Sequence, residues 1–287
     1  MSLSLLLGGC EEKPSPEGSE SVGEKPTAPS EEVKPEAPDA ETKAEEAVSV
    51  SPNFKYEIQG DTVTITGCDK KASGALTMPV TIEGKPVTSI GERAFFACSS
   101  LTSVTIGDSV TSIGELAFFG CESLTKITIP DSVTSIESSA FVRCFSLTSI
   151  TIPDSVTSLG DSTFWQCSSL TKITIGDSVT SIENGAFADC TSLTNITIPD
   201  SVISIGDIAF TDCSNLKNIT IPDSVTSIGE LAFGDCANLT SITFLGDAPK
   251  AENPFYEATP TIYRRPEAKG WGETWGGRPV KLISEKP

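Results

Sequence analysis

The chain has 287 residues, a formal net charge of -19 and 38 % apolar residues, a low apolar share for a packed protein of this length. That charge repels a phosphate backbone or an anionic lipid surface, so nucleic acid is excluded as a partner class. Histidine is absent, which removes the commonest general base and the commonest metal ligand together.

Residues 1–10 read MSLSLLLGGC, a short apolar run followed by small residues and Cys10. This resembles the lipobox of bacterial lipoproteins, which implies that residues 1–10 end a signal segment and that Cys10 carries the lipid. No Lys or Arg precedes the run, and an ordinary cysteine near a frayed terminus is the competing reading. No later segment reaches the roughly 18 consecutive apolar residues of a membrane-spanning helix. Residues 11–50 turn to Glu, Pro, Ser, Ala and Lys without an aromatic residue, a composition that cannot offset its ordering entropy. They are expected to be a disordered acidic linker with a reach of roughly 35 Å.

Structure is expected from Phe54, where FKYEIQGDTVTITGC sets two alternating runs about Gly60 and Asp61. Residues 51–86 therefore read as an N-terminal β-hairpin cap. From Cys98 to Cys236 a cysteine recurs every 23 residues, and from Phe95 to Phe233 a phenylalanine keeps the same step. Seven such units run over residues 87–247, the signature of a solenoid whose coils bury one another. In the unit SLTKITIPDSVTSIESSAFVRC, Leu124, Ile127 and Ile129 have the spacing of a short strand that faces inward at alternate positions. Pro130, Asp131 and Ser132 turn the chain, and Val133 and Ile136 carry it back. Residues 140–144 suit one helical turn; at about 100° per residue, Ala140, Phe141 and Cys144 face the core and Val142 faces out.

This phrase resembles the BspA-like, or Treponema pallidum-type, leucine-rich repeat. The hairpin with GKPVTSIG, and the closing GWGETWGGRPV within residues 248–287, resemble that family's N- and C-terminal caps. The resemblance implies a leucine-rich-repeat solenoid with short parallel β-strands on one face, short helical turns on the other, and a cap at each end. It also implies a surface or secreted bacterial binding protein, some members being adhesins with widely differing ligands.

Stacking turns each repeat position into a column with a step of about 5 Å. Two columns on the strands are expected to face solvent: Ser103, Lys126, Ser149, Lys172, Asn195, Asn218 and Ser241, and Thr105, Thr128, Thr151, Thr174, Thr197, Thr220 and Thr243. Such a hydroxyl and amide face suits a polar protein surface or a glycan, and equally a soluble strand-favouring face with no ligand. On the turn side, Phe96, Phe119, Val142 and Trp165, joined by Phe145, predict an exposed apolar stripe on one half of the solenoid. The competing reading is that the hairpin, the linker or local packing covers it.

The cysteine column reads as small buried thiols that pack the core, because it lies beside Ala and Phe and has no Cys-x-x-Cys pair. The column from Asp108 to Asp223 reads as local turn chemistry, with calcium binding as its rival. The GDSV turns at Gly107 and Gly176 hold a serine that lacks a base. Trp271 and Trp275 are expected to seal the open end of the core. The reading is a non-catalytic envelope protein, adhesin-like, that presents its solenoid to a protein or glycan partner. It is a monomer without cofactor or metal. It is lipid-anchored through Cys10 on the outer surface or facing the periplasm, or else secreted. The alternative is a structural or calcium-stabilised spacer.

Overall fold

The computed structural model describes residues 54–287, which form a parallel β-solenoid of about nine turns with a repeat of about 23 residues. The alternating Thr and Ile of each repeat favour extended backbone and bury one side of it. In the strand Lys126–Thr128, for instance, Ile127 is buried while its neighbours are exposed. Adjacent coils pair in parallel one repeat apart, Ser103 opposite Lys126 and Ser149 opposite Lys172. That offset lays like residue over like and makes the columns real.

Two ladders climb the coil. The first joins the strands Gly74–Thr77, Leu101–Thr105, Lys126–Thr128, Ser149–Thr151 and Lys172–Thr174, and resumes from Asn218–Ile221 through Ser241–Phe244 and Thr261–Arg264 to Arg278–Leu282. The second consists mostly of two-residue strands such as Ser112–Ile113, Ser135–Ile136 and Ser204–Ile205. The expected hairpin is present: β1 (Lys55–Gln59) pairs antiparallel with β2 (Thr62–Gly67). Both flanks do more than cap. β2 pairs in parallel with Lys85–Ile90, and Lys250–Ala251 and Thr261–Arg264 each extend a ladder at the other end. The two flanks are thus degenerate coils that continue the repeat.

The third side of the coil corrects the expected helical turn. Among the described residues the one helical element is the 3-10 turn Ile283–Glu285, outside the repeats in sequence. In the coil of Phe141, Ser139 and Arg143 take left-handed backbone angles, φ 58° and 60°. The N–H groups then alternate in direction. Those of Ser139, Phe141 and Arg143 donate to Asp161, Thr163 and Trp165 of the next coil, at 2.8, 2.9 and 2.9 Å. Val142 and Cys144 donate within their own coil, to Ser139 and Phe141. A helix would aim every bond along its own axis and leave nothing for the neighbour. The left-handed residues cost about 1–2 kcal/mol each, and the inter-coil bonds they permit recur in every repeat.

The core is a stack. The rings from Phe95 to Phe233 are fully buried and lie nearly parallel, with centroids 4.9 to 5.6 Å apart, close to the separation of paired strands. Beside them the cysteines are buried and free, as core packing requires. Each thiol from Cys121 onward donates to the carbonyl of a phenylalanine in the preceding coil, as Cys167 does to Phe141 at 3.2 Å. Burial holds Cys167 and Cys236 protonated, their pKa pushed up to about 12.

Candidate functional site

The strand columns lie where the alternation puts them. Thr105, Lys126, Thr128, Thr151, Lys172, Thr174, Asn195, Thr197, Asn218 and Thr220 are all exposed. The ends of the columns depart from this: Ser103 is half-buried, and Ser241 and Thr243 are buried. Thr243 is covered by Lys286, which donates from Nζ to Thr243 Oγ1 at 3.1 Å and lies over the ring of Tyr263.

The face is not uniform along its length. Between Lys172–Thr174 and Asn218–Ile221 the ladder lapses, and the intervening coil keeps a single bridge, Thr197 to Thr220. A groove of about 430 Å³ opens at this break, lined by Asn195, Thr197, Asn218 and Thr220 with Asp200 and the apolar Pro222 and Leu245. A second groove of about 300 Å³ lies on the same columns, between Lys126, Thr128, Ser149 and Thr151. The first presents hydroxyl and amide groups and the second hydroxyls with the Lys126 ammonium, each over an apolar floor, the chemistry of a site for a polar, hydrogen-bonding ligand.

The turn side breaks the predicted apolar stripe in two. Phe96 and Phe119 stack on each other at 4.9 Å and are half-buried. Lys70 and Arg93 lie over Phe96, and Arg143 over Phe119, so cations cover much of the ring faces. Val142 is 3 % exposed and adds nothing to the surface. It shares its column with Phe119 and Trp165 of the neighbouring coils. Only Phe145 and Trp165 stay open, at 37 % and 41 %, and the Trp165 indole donates to Asp189 at 2.6 Å.

Other columns serve the frame. In the aspartate column Asp154 accepts from the N–H of Asp177 at 2.9 Å, so its partner is the next coil and not its own turn. Asn184 and Asp207 act likewise on another edge, toward Asp207 and Glu230. Among the described residues no group of three acidic or cysteine side chains is placed to hold a metal ion. The GDSV segments are tight turns, closed by Val110 on Gly107 and Val179 on Gly176. Trp271 and Trp275 seal the C-terminal core against Phe244 and Phe255, each indole donating to a backbone carbonyl at 3.2 Å. At the other end the neighbouring Cys98 pushes the Cys68 thiol up, and Cys68 in turn lowers Cys98. Cys10 and residues 11–50 lie outside the described residues.

Parallel coils of one length that display columns of side chains define a leucine-rich-repeat solenoid. The chain belongs to the BspA type leucine rich repeat family, whose model matches residues 78–194 and 180–261 with six copies. The solved leucine-rich repeat protein of T. pallidum is 29 % identical over 72 % of this chain and 83 % of its own, with a TM-score of 0.50. A leucine-rich cell surface protein of Faecalibacterium prausnitzii A2-165 is 30 % identical over 73 % of this chain and 74 % of its own, with a TM-score of 0.52. Among curated proteins no match is significant. These relatives are bacterial leucine-rich repeat proteins, one of them a cell surface protein.

Proposed function

We propose that the chain is a non-catalytic binding protein of the bacterial envelope that recognises a protein or glycan through the strand face of its solenoid. The observation that carries this is the groove at the lapsed ladder, where Asn195, Thr197, Asn218 and Thr220 converge over an apolar floor. Amides and hydroxyls of this kind pair with sugar hydroxyls or with a peptide backbone. The reading extends to an anchor at Cys10 and a spacer over residues 11–50, with the F. prausnitzii surface protein as support for display outside the cell.

The test is a glycan array and capture from a surface proteome, with Thr197→Arg/Thr220→Arg set against Phe145→Ser/Trp165→Ser. The first pair places two long cations in the groove and should weaken binding at least about tenfold. The second should leave it unchanged. The reverse pattern would move recognition to the turn side, where the two exposed aromatic side chains favour a second, apolar mode.

A further inference from the structure

At the N-terminal end of the solenoid β1 is exposed in all five residues, and among the described residues it pairs only with β2. The hairpin turn is two residues long, with Gln59 opposite Thr62. In such a hairpin the residues flanking the turn exchange both of their bonds. Alternation then assigns the backbone groups of Gln59 and Glu57 to β2, and those of Ile58 and Tyr56 to the outer edge. The one register shift skips Thr66 in β2 and leaves β1 regular.

The side chains sort as cleanly. Tyr56 stands opposite Ile65 and Ile58 opposite Val63, both partners fully buried, so Tyr56 and Ile58 lie on the core side of the sheet. No coil lies beyond them among the described residues, and they are 37 % and 39 % exposed. Phe54 on the same side meets Phe95 edge-on at 6.3 Å. Lys55 and Glu57 occupy the opposite face, the Lys55 stem lying over Gly67.

We propose that β1 pairs with β1 of a second copy of this chain, antiparallel about a two-fold axis at Tyr56. In that register Tyr56 faces its own counterpart and Phe54 faces Ile58 twice, all on the core side. Lys55 faces Glu57 twice on the other side, so both ion pairs have matching signs. The hydrogen-bonding positions agree as well, because Tyr56 and Ile58 are the residues whose N–H and C=O point outward. Moving the axis to Glu57 would set that carboxylate against itself, which like-charge repulsion disfavours. The edge is thus self-complementary in backbone, apolar contact and charge at one register, and the product is a head-to-head dimer that closes the open end of both cores.

The test is sedimentation of the full chain up to about 0.1 mM, where a weak interface is populated. Wild type should show a concentration-dependent dimer. Lys55→Glu and Glu57→Lys should each raise the dissociation constant about tenfold or more. The double variant Lys55→Glu/Glu57→Lys should restore it, which also shows that the single variants fold. A monomer at every concentration overturns the proposal, as does a dimer indifferent to both reversals or a double variant no tighter than the singles.

Discussion

At the C-terminal end the phenylalanine spine runs into Phe255, 4 % exposed, which Trp275 meets edge-on while Trp271 and Trp275 both pack on Phe244. At the N-terminal end the same spine runs into Phe54, half-buried, under a hairpin whose outer strand is exposed throughout. Every coil between them is covered by the coils on either side, a service the repeat cannot render to its own termini. One end answers with large aromatic side chains drawn from a glycine-rich segment. The other ends in the antiparallel strand β1, whose outer edge has no partner among the described residues. A solenoid's ends are therefore where residues outside the repeat pattern carry the chemistry that distinguishes one chain from another.

The comparison is broken most directly by truncation at the two ends. Phe255→Ala should cost about 3–5 kcal/mol in urea unfolding, and Phe54→Ala less than half of that, because Phe54 has solvent on one side. Equal losses would mean that the N-terminal end is as well sealed as the other. Alkaline titration sharpens the contrast next. A thiol held protonated by burial keeps its proton in the folded chain after the unfolded chain has lost it. Its contribution to stability is full below the unfolded pKa of about 8.5 and is lost as pH rises towards about 12, at about 1.4 kcal/mol per thiol per pH unit. Cys236→Ala should flatten that slope, whereas the Cys68 and Cys98 pair at the open end should be alkylated before Cys236 in native protein. The smallest effect is a control on uniformity: Ala97→Gly, at φ 55°, should stabilise by about 0.5–1 kcal/mol, and Asp235→Gly, at φ 53° in the same column, by a similar amount. Opposite signs in thermal unfolding would show that the turn column differs between the ends.

The parts legible in the sequence are those that one repeat decides alone. Lys126 and Thr128 face solvent, because strand alternation suffices to place them, and Phe141 and Cys144 face the core as expected, although the helical step that oriented them does not describe the turn. Val142 was misplaced for two reasons. The turn is not a helix, so a step of about 100° per residue does not apply, and its backbone is bonded to the coils above and below. Thr243 is covered by Lys286, some forty residues away in sequence. The groove is the clearest limit. The octapeptide Asn-Ile-Thr-Ile-Pro-Asp-Ser-Val occurs unchanged at 195–202 and at 218–225, yet the first copy makes one bridge and the second opens with a strand. Identical local sequence excludes local propensity as the cause, so the difference arises from what flanks each copy.

The one-repeat offset between coils has a consequence for heredity. Since each coil offers its neighbours the same ring and the same thiol above and below, the joints between coils share one core pattern. Duplicating or losing a whole unit lengthens or shortens the wall without altering either end, while inserting a single residue throws every column beyond it out of line. The identical phrases at Ile127 and Ile219 are the kind of text that recombination copies without error of meaning. The length of the molecule is thereby free to vary from lineage to lineage while its cross-section stays the same.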